Sequence, residues 1–185
     1  MTAHAPPHIR FATPDDVAAI AFIYCHHVLH GTGTFEEEPP SVAEMADRLA
    51  KVQSRGWPWL VAERDGQVIG YAYAAQFRDR AAYRFAAEDS IYIHPDHMGA
   101  GVGRALLDAL LSTSAEAGFQ RMFAVIGDSH NRGSIRLHER ADFEHCGKLD
   151  KAGFKFDRYL DVVFMQRELP PHPSGERVAV RSTDG

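Results

Sequence analysis

The chain has 185 residues, of which 45% are hydrophobic and 24% charged, so it resembles a globular domain with one sizeable core. Its formal charge of −5 disfavours binding to the phosphate backbone of nucleic acid. No apolar run approaches the ~20 residues that span a bilayer, and the first residues lack a basic start and an apolar core, so we expect no signal peptide. The two cysteines lack CxxC spacing, so they suggest neither a zinc site nor a disulfide framework. These features predict a cytoplasmic protein with no membrane or nucleic-acid partner.

Both ends of the chain are rich in proline and poor in residues that a core would bury. We therefore predict a flexible N-terminus at residues 1–8 and a disordered tail at residues 170–185. No linker-like segment or internal repeat interrupts the part between them. Residues 9–169 are expected to form a single domain.

The first third of the chain predicts one strand and two helices. Residues 9–12 alternate as an edge strand does, and the next residues, Thr13-Pro14-Asp15-Asp16, are typical of a helix start. Apolar residues then recur at helical spacing up to Val28. Ser41 and Glu44 form a capping-box pattern that opens a second helix, which extends to about residue 55.

The remaining elements indicate a mixed α/β fold. Asp65-Gly66 separates two apolar runs, which is typical of a two-residue hairpin turn. After it we predict a short strand at 90–93, a helix from 104 to near 118, a strand at 122–126, a helix at 131–139 and one or two strands within 143–169. The predicted order is β α α β β β α β α β β.

A glycine-rich loop joins the predicted strand at 90–93 to the following helix. Glycines in such a place let backbone amides approach an anion at the positive end of the helix dipole. The loop lacks the Gly-Lys-Ser/Thr of a P-loop, and its third glycine comes one position too early for a dinucleotide fingerprint. An ordinary glycine turn that caps a helix is the alternative. The loop reads Met98-Gly99-Ala100-Gly101-Val102-Gly103-Arg104.

This loop resembles the coenzyme A pyrophosphate loop of the GNAT superfamily of N-acetyltransferases. Gly101 and Gly103 stand at the two required positions, whereas Met98 replaces the usual glutamine or arginine. Further along, Asn131, Ser134 and Leu137 match a second superfamily element, in which His138 replaces a tyrosine and Asp142 a glycine.

Other segments sharpen the resemblance to the group that acetylates phosphinothricin and methionine sulfoximine or sulfone. They match in order over nearly the whole of residues 9–169, so the resemblance is specific. The matching segments are Thr34-Phe35-Glu36, Leu60-Val61-Ala62-Glu63, Gly70-Tyr71-Ala72-Tyr73-Ala74, Arg78-x-Arg80 with Ala82-Tyr83-Arg84, Glu88-x-Ser90-x-Tyr92, Ala124-Val125-Ile126, Leu137-His138-Glu139 and Gly153-Phe154-Lys155.

The resemblance implies a GNAT-like fold, with a central, mostly antiparallel, twisted sheet flanked by about four helices. It also implies acetyl-CoA as the acyl donor. The backbone of the predicted strand would bind the pantetheine arm, the glycine loop would bind the pyrophosphate, and the start of the later helix would complete the site. These acetyl-CoA residues are Ile91, Tyr92, Ile93, Gly99, Ala100, Gly101, Val102, Gly103, Arg104, Asn131 and Ser134.

Two residues are implied as catalytic. Glu88, just before the strand at 90–93, matches the carboxylate that takes a proton from the acceptor amine, directly or through water. His138 matches a histidine near the thioester, where it would relay a proton or assist the base. For Glu88 the alternative is a solvated acid at a strand end, and for His138 a histidine packed on a helix face.

The acceptor site is expected to recognise an acidic group. Arg78 and Arg80 are two residues apart, so on a regular strand both side chains share one face and can grip a carboxylate or phosphinate. An exposed basic strand end is the alternative. Further lining residues are expected to be Thr34, Phe35, Tyr83 and Lys155.

No metal site is expected, because the pairs His26/His30 and His94/His97 lack a third ligand at a recognisable spacing. Neither cysteine suggests a nucleophile, so direct transfer in a ternary complex is favoured over an acyl-enzyme. The family implies a homodimer. Two other functions stay open: acetylation of another amine (an antibiotic, a polyamine, a protein N-terminus or a lysine), and a non-catalytic acyl-CoA-binding module.

Overall fold

The computed structural model describes residues 6–171. Its strands and helices are β1 (His8–Phe11), α1 (Val17–His30), α2 (Val42–Ser54), β2 (Trp59–Arg64), β3 (Gln67–Gln76), β4 (Ala86–Ile93), α3 (Val102–Glu116), β5 (Arg121–Gly127), α4 (Arg132–Glu139), β6 (Glu144–Lys155) and β7 (Arg158–Glu168). This order confirms the predicted one. The predicted flexible ends fall mostly on residues 1–5 and 172–185, outside the described residues. His8 is an exception, because it lies in β1 and pairs with Glu63.

Local signals in the sequence explain several element boundaries. Ser41 Oγ accepts the Glu44 amide at 3.2 Å, and Glu44 Oε2 accepts the Ser41 amide at 2.7 Å, so the predicted capping box opens α2. Asp65 and Gly66 both have positive φ, at 52° and 76°, as a two-residue hairpin turn between β2 and β3 requires.

The seven strands form one sheet in the order β1-β2-β3-β4-β5-β7-β6. Neighbouring strands are antiparallel, except for the central pair β4 and β5, which runs parallel. This arrangement confirms the expected mostly antiparallel sheet, and the four helices agree with the expected number.

Helices cover both faces of the sheet. Leu106, Leu107 and Leu110 of α3 pack on one face, against β2 to β5. Helices α1 and α2 pack on the other face, where Trp59 and Tyr71 belong to their core. Because side chains alternate along a strand, neighbouring residues of β4 reach different layers. In the part of the chain that the structure describes, no helix is both long and apolar enough to cross a membrane.

Strand β4 is longer than predicted. The sequence predicts a strand at residues 90–93, whereas β4 begins at Ala86. The earlier residues include Glu88 and Asp89, which have low intrinsic strand propensity. They are extended because β3 pairs with them on one side and β5 with residues 86–88 on the other. Glu88 therefore lies inside the strand and not before it.

Candidate active site

A gap opens between β4 and β5 in the middle of the sheet. β4 pairs with β5 over residues 86–88, but it stays paired with β3 as far as Ile93. The His94 amide bonds the Ile69 oxygen, so the alternation of an antiparallel ladder directs the amides and carbonyls of Ile91 and Ile93 towards the gap. An extended ligand with amide groups can pair with such an edge like an added strand.

Tyr92 differs from its two neighbours. The same alternation places its backbone on the side of β4 that pairs with Tyr71 of β3, and its ring packs edge-on against Tyr24. The expectation that all three residues offer backbone groups to the pantetheine is therefore corrected to Ile91 and Ile93. The Ile93 carbonyl also accepts a hydrogen bond of 2.8 Å from His27 Nε2.

The glycine loop leads directly into α3. Gly99 and Gly101 have φ angles of 75° and 81°, and Gly101 is the N-cap of the helix. A Cβ added at either position would meet no atom within 4 Å, so backbone conformation and not space requires glycine there. The amides of the first turn, including those of Val102 and Gly103, have no partner within the helix and are available to an anion.

Arg104 contributes to the loop through its backbone. Its guanidinium is engaged elsewhere, because Nε lies 2.7 Å from Asp108 Oδ2 and Nη1 donates to the Arg140 carbonyl. The side chain therefore fixes the start of α3 against the end of α4. The exposed Met98 side chain offers no polar group at the position where the resemblance implies one.

The carboxylate of Glu88 is partly exposed to solvent. Its side chain is 33% exposed, and its Oε2 lies 3.5 Å from Arg78 Nη1. Burial raises the pKa of Glu88, and the positive charge of Arg78 opposes that rise without cancelling it. A partly buried carboxylate with a raised pKa suits a general base that takes a proton from an ammonium group.

The predicted arrangement of Arg78 and Arg80 is wrong. β3 ends at Gln76, and Gln76 Nε2 donates to the carbonyl oxygens of both arginines, at 2.6 and 3.0 Å, so the chain turns there and does not continue as a strand. A propensity-based interpretation cannot detect this side-chain bond. Arg78 and Arg80 nevertheless line one surface cleft, together with Asp79 and Tyr83.

His138 is enclosed on α4, with 3% of its surface exposed. Its Nδ1 donates to the Ser134 carbonyl at 2.8 Å, and its Nε2 lies 3.0 Å from Asp89 Oδ2. Asp89 and Glu88 are neighbours on β4, so their side chains point to opposite faces. Both ring nitrogens of His138 are thus engaged on the other side of the strand, so the structure does not bring His138 to Glu88. Its roles in relaying a proton or assisting the base stay predictions.

A buried lysine forms hydrogen bonds with the segment between α1 and α2. Lys155 is 2% exposed, and its Nζ donates to the Gly31 and Thr34 carbonyls at 3.0 and 2.9 Å. Thr34 Oγ1 in turn lies 2.8 Å from the Tyr24 hydroxyl. Lys155 and Thr34 thus fix this segment in place, and these polar side-chain atoms are already paired.

Phe35 is the part of this segment that stays accessible, with 38% of its surface exposed. One side of its ring lies on Gly127 and Gly153, where an added Cβ would overlap the ring. These two glycines therefore let β5 and β6 approach the segment closely.

Asn131 and Ser134 lie at the start of α4. Asn131 caps this helix, since its Oδ1 accepts the Ser134 amide at 3.2 Å. Leu137 of α4 lies 3.4 Å from the point where a Cβ on Gly103 would be. The helix therefore packs beside the first turn of α3, which brings Asn131 and Ser134 to the same region as the glycine loop.

Sequence reasoning missed Asp89 and His27. Asp89 follows Glu88 in a polar run and resembles a solvated acid, yet it is 7% exposed and pairs with a residue 49 positions away. His27 is one of three histidines in α1, and nothing in the spacing separates it from His26 or His30. Within residues 6–171 no three histidine, cysteine or acidic residues are grouped closely enough to hold a metal ion.

Comparison with known proteins supports the resemblance. Residues 22–143 match the acetyltransferase (GNAT) family. The chain is 50% identical to a phosphinothricin N-acetyltransferase of Alcaligenes faecalis over 87% of this chain and 82% of that protein. It is 40% identical to an L-methionine sulfoximine/L-methionine sulfone acetyltransferase of Salmonella typhimurium, over 89% and 95% of the two chains.

A solved structure shows the same architecture. The crystal structure of a GNAT superfamily phosphinothricin acetyltransferase from Sinorhizobium meliloti, in complex with acetyl-CoA, superposes with a TM-score of 0.90 at 44% identity and covers 95% of each chain. The family match extends from within α1 to just beyond α4, so it includes the gap, the glycine loop and α4, the helix that carries His138. We conclude that the chain belongs to the acetyltransferase (GNAT) family and is an N-acetyltransferase.

Proposed function

We propose that this enzyme transfers an acetyl group from acetyl-CoA to the α-amino group of a small amino acid analogue, such as phosphinothricin or methionine sulfoximine or sulfone. The names of its relatives support this acceptor class, and the acetyl-CoA complex of the Sinorhizobium meliloti protein supports the donor. The observation that carries the proposal is Arg78, a carboxylate-binding group, beside Glu88, a base with a raised pKa.

The residues around the gap fit acetyl-CoA. The gap-facing backbone of Ile91 and Ile93 pairs with the amides of the pantetheine arm. The amides of residues 99–104 bind the pyrophosphate, where the helix dipole of α3 adds to the attraction. Asn131 and Ser134, at the start of α4, form the remaining side of the acetyl-CoA site.

The acceptor lies on the side of the sheet that α1 and α2 cover, because the Glu88 side chain points to that side. Arg78 and Arg80 bind its carboxylate or phosphinate, since guanidinium groups match the geometry of such oxygens. Tyr83 and Phe35 cover its apolar part. Thr34 and Lys155 act indirectly, because they fix the segment that carries Phe35.

The reaction needs one proton transfer before the attack. Glu88 takes a proton from the acceptor ammonium, directly or through a water molecule, and the free amine attacks the thioester carbonyl. The new C–N bond forms first and gives a tetrahedral intermediate, whose nitrogen then loses its second proton. The C–S bond breaks as the carbonyl re-forms, and coenzyme A leaves as a thiolate that takes up a proton. Gap-facing amides of β4 donate to the oxygen that gains negative charge in the tetrahedral intermediate. The proposal involves no acyl-enzyme.

We also propose that the enzyme is a cytoplasmic homodimer. Large apolar side chains are exposed on the last hairpin: Phe154 is 55% and Tyr159 64% exposed, and their rings pack edge to face at 5.2 Å. Exposed apolar patches of this kind often form contacts between subunits. Sedimentation velocity at increasing protein concentration tests the dimer, and a monomer throughout would contradict it.

The first experiment measures release of free coenzyme A from acetyl-CoA with a panel of acceptors: phosphinothricin, methionine sulfoximine, methionine sulfone, other free amino acids and polyamines. We expect saturable turnover with the first three and little with the rest. Turnover limited to polyamines would instead favour acetylation of another amine. No turnover, together with stabilisation of the protein by acetyl-CoA, would favour a binding module.

The second experiment tests the base. Glu88→Gln preserves size but cannot accept the proton, so we expect kcat near pH 7 to fall by about 10²- to 10⁴-fold. The dissociation constant for acetyl-CoA should stay unchanged, because the gap-facing groups belong to the backbone. Glu144→Gln, on the exposed part of β6, is the matched control. An unchanged kcat in Glu88→Gln would refute the assignment.

A further inference from the structure

Asp89 and His138 form a buried ion-pair contact between β4 and α4. The distance from Nε2 to Oδ2 is 3.0 Å, and the two side chains are 4% and 2% exposed. Asp89 follows directly after the last residue of β4 that pairs with β5. The contact thus lies where the gap begins, and it connects the strand that lines the gap to the helix that closes it.

The geometry requires an additional proton on this pair. A backbone carbonyl can only accept, so His138 Nδ1 must carry a hydrogen to bond Ser134. The Nε2–Oδ2 contact then needs a second hydrogen, on Nε2 or on Asp89. A neutral imidazole has one N–H, so beside an ionised Asp89 either tautomer loses one of the two bonds.

The surroundings of the ring favour the protonated pair. Burial lowers the pKa of His138, but the negative charge and hydrogen bond of Asp89, together with the hydrogen bond to the Ser134 carbonyl, outweigh it, so the pKa is raised above its ordinary value. The imidazole also contacts the Ser134 carbonyl and the Phe143 ring, which packs edge-on at 4.9 Å. Glu88, next to Asp89, points to the opposite face.

Helix α4 depends on this contact because it is short. It has eight residues, and those that it buries are Ile135 and His138. Its start carries Asn131 and Ser134. We propose that Asp89 and His138 are positioning residues, which hold the start of α4 beside the acetyl-CoA gap as long as the pair carries its extra proton. This inference rests on the proposed placement of acetyl-CoA.

The sign of the pH effect follows from linkage. A histidine whose pKa is raised in the folded protein stabilises the fold below its unfolded pKa, and this contribution is lost as the pH rises through the folded value. The loss begins above the ordinary histidine pKa of about 6.5. We therefore expect acetyl-CoA to bind more weakly, by about tenfold, once the pair has lost its proton.

The test compares the pH dependence of acetyl-CoA binding in the wild type and in Asp89→Asn, by isothermal titration calorimetry. An asparagine amide can donate to a neutral Nε2, while Nδ1 still donates to Ser134, so both bonds survive without the extra proton. We expect the variant to bind acetyl-CoA at low pH about as tightly as the wild type and to keep that affinity at high pH. Ionisation of acetyl-CoA itself changes with pH in the same way for all variants, so it does not affect the comparison between them.

Glu139→Gln is the matched control. Glu139 and His145 form a contact of the same kind, at 2.9 Å, on the outer end of α4, where half of each side chain is exposed. This variant should keep the wild-type pH dependence. Loss of that dependence in Glu139→Gln, or its retention in Asp89→Asn, would overturn the proposal.

An NMR titration of the imidazole nitrogens gives a second readout that needs no acceptor and no turnover. We expect His138 to stay doubly protonated to above pH 6.5 in the wild type and to be neutral in Asp89→Asn. A wild-type pair without the extra proton at pH 6, with His138 neutral and the Asp89 carboxyl ionised, would also overturn the proposal. Failure of the acceptor assay alone would leave both measurements unaffected, so the two proposals fail separately.

Discussion

The contact between Arg78 and Glu88 connects recognition of the acceptor to the base that activates it. The two side chains are 3.5 Å apart, and each is partly exposed. Arg78 is proposed to bind the acceptor carboxylate, which competes with Glu88 for the same guanidinium. An acceptor that takes over this guanidinium weakens its effect on Glu88, so the pKa of Glu88 rises further when the right substrate binds.

Arg78→Ala makes this effect measurable. Arg78 lowers the pKa of Glu88, so its removal raises that pKa, and the acidic limb of the pH profile of kcat/KM should move to higher pH. Since half of the Arg78 side chain is exposed, we expect a shift of less than about one pH unit. Arg80→Ala should raise KM for the acceptor without moving the limb. An unmoved limb in Arg78→Ala would show that the contact does not influence the base.

Individual residues could be predicted where a local motif specifies the residue type at that position. A carboxylate at Glu88 and glycines at the loop could be assigned from the sequence, because matched motifs name them. The partners of His138 could not, since Asp89 is 49 positions away and only the fold brings them together. The turn at Arg78 was missed for a similar reason: it depends on bonds from the Gln76 side chain.

Helix α3 has a glycine with positive φ at each end. Substitutions at the two ends can therefore distinguish an effect on acetyl-CoA binding from an effect on stability. Gly101 at the N-cap has φ of 81°, and Gly118, after the C-cap, has φ of 95°. A Cβ at either site would meet no atom within 4 Å, so an alanine there adds backbone strain and no clash. Such strain costs about 1–3 kcal/mol.

We expect Gly101→Ala and Gly118→Ala to lower the melting temperature by similar amounts. Only Gly101→Ala should also weaken acetyl-CoA binding, because it reorients the amides that face the pyrophosphate. Calorimetry with acetyl-CoA, together with thermal unfolding, separates the two effects. Equal loss of affinity in both variants would place the anion site elsewhere.

Most elements were predictable because their signals are local. Capping of α2 by Ser41 and the turn at Asp65 and Gly66 depend on residues within three positions of one another. The start of β4 depends on two other strands, so it was predicted four residues late. The same holds for the gap, since nothing in the sequence of β5 shows where it leaves β4.

At the scale of the whole molecule, buried phenols make the fold sensitive to alkali. Burial raises the pKa of Tyr24, Tyr71, Tyr73 and Tyr92, all of which lie on the α1/α2 side of the sheet. Their contribution to stability is present below the ordinary tyrosine pKa of about 10, and it is lost as the pH rises above that value.

Tyr24 and Tyr71 are buried, whereas Tyr73 and Tyr92 are half-buried, so we expect Tyr24 and Tyr71 to ionise only when the protein unfolds. Phenolate absorbance and circular dichroism, followed together above pH 10, should therefore change in one transition. Tyr71→Phe should move this transition to higher pH, whereas Tyr159→Phe, on the exposed side of β7, should not. Phenolate absorbance from these buried residues with an intact fold would contradict the prediction.

The gap also divides the sheet into two parts, each made from one continuous stretch of chain. One part contains β1 to β4, from His8 to Ile93, and the other contains β5 to β7, from Arg121 to Glu168. Within the parts, the pairings β2–β3, β3–β4 and β6–β7 close short loops, which costs little chain entropy, whereas β1 pairs with β2 across residues 12–58. The two parts join along residues 86–88 and 121–123. The cleft that is proposed to receive the acetyl donor is thus the boundary between two continuous stretches of the chain.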